Sequence, residues 1–264
     1  MNNYSLQDIL GMIVSDYNRV FDVEPINANY IITDNMKDEY FKLRPDVAKK
    51  EPLKMNTLNR YNGVTVCPRS VGEDFNILIN KDLMLKYLND NNATWVGTIV
   101  HETTHARDYT DFALLINAQD YDDILSISKN LPFQLWTEFN ARSKGYYFVR
   151  KYSFDNMFDY SQVTDIVNVE LPAQLELLQN DCTSTIDYVQ KAYYIAQFLG
   201  RLHALQIIFP NHFTDEYINE YQYFSDNQWI KDWYWFLSNN LSVEKLYKNQ
   251  NEMIKILEEN LFIL

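Results

Sequence analysis

Glycine is nearly absent from this chain. Six occur in 264 residues, at 11, 63, 72, 97, 145 and 200, and no two are closer than nine positions. Phosphate-cradling loops of the GxGxxG or GxxxxGKS/T type need closely spaced glycines, so the nucleotide-binding folds built on them are excluded. With only seven prolines as well, the many tight turns of an all-β sandwich or barrel are hard to write. A chain of this length, 47% hydrophobic and 15% aromatic, buries a sizeable core without staples and is not a disordered segment.

The formal charge of −13 argues against a uniformly basic surface, so no nucleic-acid partner is expected. No run of about 18 consecutive apolar residues occurs, so no membrane partner is expected either. Cys67 and Cys182 are too far apart in sequence for a metal clip and read as free thiols. The first residues carry no basic start, apolar run and small-residue cleavage site, so the expected location is cytoplasmic.

Hydrophobic spacing predicts an amphipathic helix over 4–21, through Leu6, Ile9, Leu10, Ile13, Tyr17 and Phe21. Residues 22–62 hold Pro25, Pro45 and Pro52 among many Asn and Lys. They read as irregular structure with a short strand at Asn29–Thr33, and their length allows an inhibitory flap over a cleft. Two short β-branched runs, Gly63–Pro68 and Phe75–Asn80, read as strands joined by a hairpin loop. A long helix is predicted from Thr94 to about Leu115, capped by Asn91 or Asn92, and another from Pro132 to about Lys151. A third runs from Thr183 or Ser184 to Phe209, stopped by Pro210. The aromatic run 229–236 reads as core or an inter-helix seam. The fold class is α+β: a small mixed or antiparallel sheet packed on a predominantly helical body. Residues 1–155 form the region with the sheet and both central helices, and 156–264 a helical C-terminal subdomain.

Residues 101–105 are His-Glu-Thr-Thr-His. One helical turn separates His101 from His105, so both imidazoles share a face and can bind one Zn²⁺. Glu102 then stands beside the position of an activated water and can take its proton. At this point the chain resembles the zincin metallopeptidases. That resemblance implies a mixed sheet before the active helix and an edge strand that holds the peptide substrate. Phe75–Asn80 stands in the right order for that role.

A catalytic zinc takes three protein ligands and keeps an open position. Glu138, in LWTEFNARSKG, is the first candidate for the third. Ala141 and Gly145 on its helix allow close approach to the metal-binding helix. The arrangement is similar to that of the gluzincins, in which a glutamate on a following helix completes the site. A solvated pairing with Arg142 at i+4 is the plain alternative. The rival ligand is Asp111, in HExxHxxDxxD, which resembles the metzincin pattern; there a glycine at the position of Asp108 turns the chain. Asp108 itself lies on the metal face, as an orienting partner for a histidine or as an ordinary surface charge. For a donor to the oxyanion, Tyr109, Tyr146 and Tyr147 are weak candidates. His203 reads as an ordinary packed residue, and His212 has no assigned role.

Order and spacing also loosely resemble the ImmA/IrrE-type intracellular metallopeptidases, although Thr103 and Thr104 stand where these have small residues. The implied function is a zinc-dependent metallopeptidase hydrolysing peptide or protein substrates with metal-activated water. The alternatives are a zinc-binding pseudoenzyme acting as a regulatory or protein-interaction module, and a metal-free helical scaffold.

Overall fold

Ser5 starts the first helix, α1 (Leu6–Phe21). Its side chain accepts the Asp8 N–H while the Asp8 carboxylate accepts the Ser5 N–H, so two otherwise unpaired donors are satisfied reciprocally. Leu10, Ile13 and Tyr17 form the buried stripe, and the helix ends at Asp22 in the left-handed region (φ 50°). The computed structural model describes residues 5–50, 52–153 and 161–261. The first residues of the helix expected over 4–21 therefore fall partly outside them.

Residues 22–62 differ from expectation. After β1 (Ala28–Thr33) come three short helices, α2 (Met36–Leu43), α3 (Pro45–Lys50) and α4 (Pro52–Thr57), and a 3₁₀ turn at Leu58–Arg60. Pro45 and Pro52 open helices, where a missing N–H costs nothing. Met36, Tyr40, Ala48, Met55 and Leu58 build one core with Val66 and Leu78 of the following strands. The segment is thus part of the folded core of the first unit.

The sheet contains β1, β2 (Gly63–Val66) and β3 (Phe75–Asn80), in the order β1-β3-β2. β1 runs parallel to β3, and β2 antiparallel to it. The edge role expected of Phe75–Asn80 is therefore overturned: β3 is the central strand. Phe75, Ile77, Leu78 and Ile79 are all buried, a near-continuous apolar run suited to a strand covered on both faces. The edges are β1 and β2. Helix α5 (Lys81–Asn89) follows, capped by the Asn80 side chain.

Helix α6 (Thr94–Leu115) lies against α1, β2 and β3. Its N-cap position is Ala93, which has no capping side chain, rather than Asn91 or Asn92. The Asn92 side-chain oxygen still accepts the Thr94 N–H at 2.8 Å, and Asn91 takes the left-handed turn before it (φ 49°). The chain then passes a short helix, α7 (Asp122–Leu125). Arg44 fastens this region: its buried guanidinium donates to the Cys67 and Pro68 carbonyls and to the carboxylates of Asp46 and Asp122.

The chain divides into two compact units, Met1–Leu125 with Phe148–Ser153, and Ser126–Tyr147 with Phe154–Leu264. The boundary expected at 155/156 lies outside the described residues. Helix α8 (Ile127–Ser153) belongs to both units. Non-helical Asn130 (φ −130°, ψ 31°) divides it, so its long part starts as Pro132 predicts.

In the second unit, α9 (Ser161–Asp165), a π-helical turn (Ile166–Glu170) and α10 (Leu171–Ser184) precede α11 (Tyr188–Ile208). The expected start of α11 at Thr183 or Ser184 is corrected. Both hydroxyls donate backward, to the Asn180 and Asp181 carbonyls at the end of α10. The cap of α11 is Asp187, whose carboxylate accepts the Val189 and Gln190 N–H groups. At Gly200 α11 comes close to α8: a Cβ there would sit 2.5 Å from the Phe139 carbonyl oxygen. Two short helices, α12 (Asp215–Glu220) and α13 (Gln222–Ser225), lead to α14 (Gln228–Asn239) and α15 (Val243–Asn260). Trp233, Tyr234 and Phe236 of α14 are buried, the core role that the aromatic run 229–236 suggests. Among the described residues no helix is long and apolar enough to cross a membrane. Cys67 and Cys182 are free thiols.

Candidate metal centre

The middle of α6 is held by its back face. The Thr103 hydroxyl donates to the Ile99 carbonyl at 2.7 Å and accepts from the Tyr30 hydroxyl of β1 at 2.8 Å. The Thr104 hydroxyl donates to the Val100 carbonyl at 2.8 Å and lies 3.3 Å from the Tyr17 hydroxyl of α1. Burial pushes the Tyr30 phenol up to about 12 and the Tyr17 phenol further, the latter also under the nearby Asp108 charge. Both stay neutral donors at ordinary pH. The two threonines thus set the rotation of α6, and the histidines one turn apart face the other way.

The Nε2 atoms of His101 and His105 are 3.0 Å apart, with the rings nearly perpendicular at 88°. Two imidazole nitrogens held tetrahedrally on one zinc, with bonds of about 2.0–2.1 Å, are separated by roughly 3.3 Å. The pair is close to that geometry. Tyr109, one turn on, stacks against the His105 ring at 6.0 Å.

Glu102 is 8% exposed. The Thr65 hydroxyl of β2 lies 2.9 Å from its Oε2 and 2.8 Å from its backbone oxygen. β2 comes this close because residue 63 is glycine: a Cβ there would sit 2.8 Å from Thr98 Cγ2 and 3.0 Å from Glu102 Cγ. Neither Thr65 nor Gly63 was singled out in the sequence. Only the strand–helix packing makes either significant.

Glu138 is 2% exposed. Its Oε1 is 3.6 Å from the Arg142 guanidinium, so the i+4 pairing exists, but the carboxylate is not the solvated one that a surface pair would have. His101, His105 and Glu138 each offer one ligand atom, and these atoms all lie within 4.8 Å of one another. Two imidazoles and one carboxylate are the His₂Glu donor set of an open zinc site.

Asp111 is not brought to this group. Helix α6 continues without a break through Asp108 to Leu115, carrying Asp111 a further roughly 9 Å along the axis from His105. Asp108 is buried at 3% exposure.

The remaining candidates spread out. The Tyr146 hydroxyl donates to Glu170. His212 is exposed. His203 is packed in the second unit, its Nδ1 2.9 Å from the Ser143 hydroxyl and its ring against Phe139. Burial lowers its pKa to about 4, so it is neutral at pH 7. A charged group that sequence reasoning missed is Arg201, whose pKa is drawn down to about 10 by burial and by the like charge of Arg142.

No family model, curated protein or solved structure matches the chain.

Proposed function

We propose that this protein is a zinc-dependent metallopeptidase of gluzincin type with a zincin-like catalytic region, working inside the cell. The observation that carries the reading is the meeting of the His101, His105 and Glu138 ligand atoms within 4.8 Å. A general base stands at the adjoining position, held through Thr65. His101, His105 and Glu138 hold the metal. When bound, Zn²⁺ supplies Lewis acidity, lowering the pKa of water and polarising a peptide carbonyl. Glu102 accepts a proton from the attacking water and delivers it to the leaving amine nitrogen. Asp108 supports the histidine face of α6 from one turn beyond His105.

The substrate-holding role passes from β3 to β2. No other described strand pairs with the second edge of β2. An extended peptide can add there by main-chain hydrogen bonds, beside Glu102.

The test is elemental analysis of the purified protein combined with Glu102→Gln. The expected result is about one zinc per chain in both proteins, with hydrolysis of a peptide library by the parent and a loss of at least 100-fold in the variant. Zinc in both with no hydrolysis in either would favour a regulatory pseudoenzyme. Failure to take up zinc after metal loading would leave the helical scaffold.

A further inference from the structure

The crossing of α8 and α11 concentrates basic groups around one of the proposed metal ligands. Glu138 and Arg142 are one turn apart on α8, as are Gln197 and Arg201 on α11. The two pairs meet through a 2.8 Å hydrogen bond from Arg142 to the Gln197 side-chain oxygen. Gly200, beside Arg201, brings the helices so close that its missing Cβ would lie 2.9 Å from Arg142 Cβ.

The donors at this crossing are only partly used. Arg142 Nε is buried without a hydrogen-bond partner. Arg201 is half-buried and makes no hydrogen bond or ion pair with any described residue. Arg44, in the first unit, shows what this fold does with a purely structural buried guanidinium: its donors go to two carbonyls and two carboxylates. Of the donors at the crossing, Arg142 Nε lies out of water without such a partner, which is costly because arginine cannot shed its proton to escape, while the unpaired Arg201 donors stay accessible to a ligand. Glu138 and Glu170 are the acids whose charges act on Arg201. Glu170 already accepts hydrogen bonds from Tyr146 and Gln174. Once Glu138 is committed to a cation, the crossing is short of negative charge.

We propose that Arg201, with Arg142, is a carboxylate-binding site that selects substrates bearing a free carboxylate close to the scissile bond. A planar fork of N–H donors matches that group in two-point geometry. The carboxylate is either the C-terminus of a peptide or an acidic side chain. The inference rests on the metallopeptidase reading, because only that reading places a substrate beside Glu138.

The experiment uses zinc-loaded full-length protein and two matched peptide series, one with a free or amidated C-terminus and one with Glu or Gln at successive internal positions. The readout is the acid-to-amide ratio of kcat/KM. The expected result is a ratio of at least tenfold in one series, which identifies the source of the carboxylate. It should collapse toward one in Arg201→Gln and be partly kept in Arg201→Lys. A ratio near one in both series for the parent overturns the proposal without needing any variant, as does a ratio that survives Arg201→Gln. Calorimetric binding of an N-acetyl dipeptide acid and its amide to the zinc-loaded protein supplies a readout independent of turnover. If no peptide is hydrolysed but the acid binds at least tenfold more tightly and loses that advantage in Arg201→Gln, the peptidase reading fails and the carboxylate site stands. Equal binding of acid and amide sinks the site.

Discussion

The hydroxyl of Thr65 touches Glu102 twice, at 2.9 Å from the side-chain Oε2 and 2.8 Å from the backbone oxygen. One side chain on an edge strand therefore ties the strand to the carboxylate proposed to move the proton. A hydrogen bond to a charged group contributes about 1.5–3 kcal/mol. Thr65→Val should accordingly lower kcat about 10- to 100-fold, with zinc content unchanged and little effect on KM. Thr65→Ser should restore most of the turnover. Undiminished turnover in the valine variant would remove the positioning role.

Glu138 is separated from His105 by 33 positions, so its part in metal binding is the sharpest test of the ligand set. Glu138→Ala should weaken zinc binding by well over the 10- to 100-fold typical of losing an outer hydrogen-bond partner. Asp111→Ala should leave it unchanged. Competition titration with a chelator measures both, and the opposite pattern would move the third ligand to Asp111.

Three glycines should respond differently to alanine. At Gly200 the added Cβ would meet the Phe139 carbonyl at 2.5 Å and the Ser143 nitrogen at 3.1 Å. Backbone must move there, at a cost of about 1–3 kcal/mol. At Gly63 it meets Thr98 and Glu102 side chains, so a smaller stability loss should come with a clear loss of turnover. At Gly11, inside α1, nothing lies within 4 Å, and alanine should stabilise by about 0.5–1 kcal/mol. Urea unfolding orders the three.

His203 should make the fold acid-sensitive. Its ordinary pKa of 6.5 falls to about 4 through burial. Between those values the unfolded chain binds a proton that the folded chain does not. The associated stability is fully present above pH 6.5 and is lost as pH falls toward 4. The shift corresponds to something on the order of 3 kcal/mol. In His203→Gln the decline between pH 6.5 and 4 should be shallower, and an unaltered profile from urea midpoints would contradict the assignment.

What could be read from the residues alone is what short-range geometry dictates. The span of α6, the pairing of His101 with His105 and the place of Glu102 beside them follow from 3.6 residues per turn, a local rule. The runs at Gly63–Val66 and Phe75–Asn80 announce strands through β-branching, and Pro132 marks the start of the long part of α8. Residues 22–62 were harder because Pro45 and Pro52, which break a helix interior, open a helix equally well. The short helices they start are stabilised by Met36, Tyr40 and Leu58 packing on β2 and β3 rather than by their own periodicity. Which strand is central, why residues 63 and 200 must lack a Cβ, and the grip of Thr65 on Glu102 were settled by tertiary packing. So was the accumulation of Arg142 and Arg201 at one helix crossing. Each of these depends on distances between segments remote in the chain, and such distances are set by how whole helices and strands bury their apolar faces against one another.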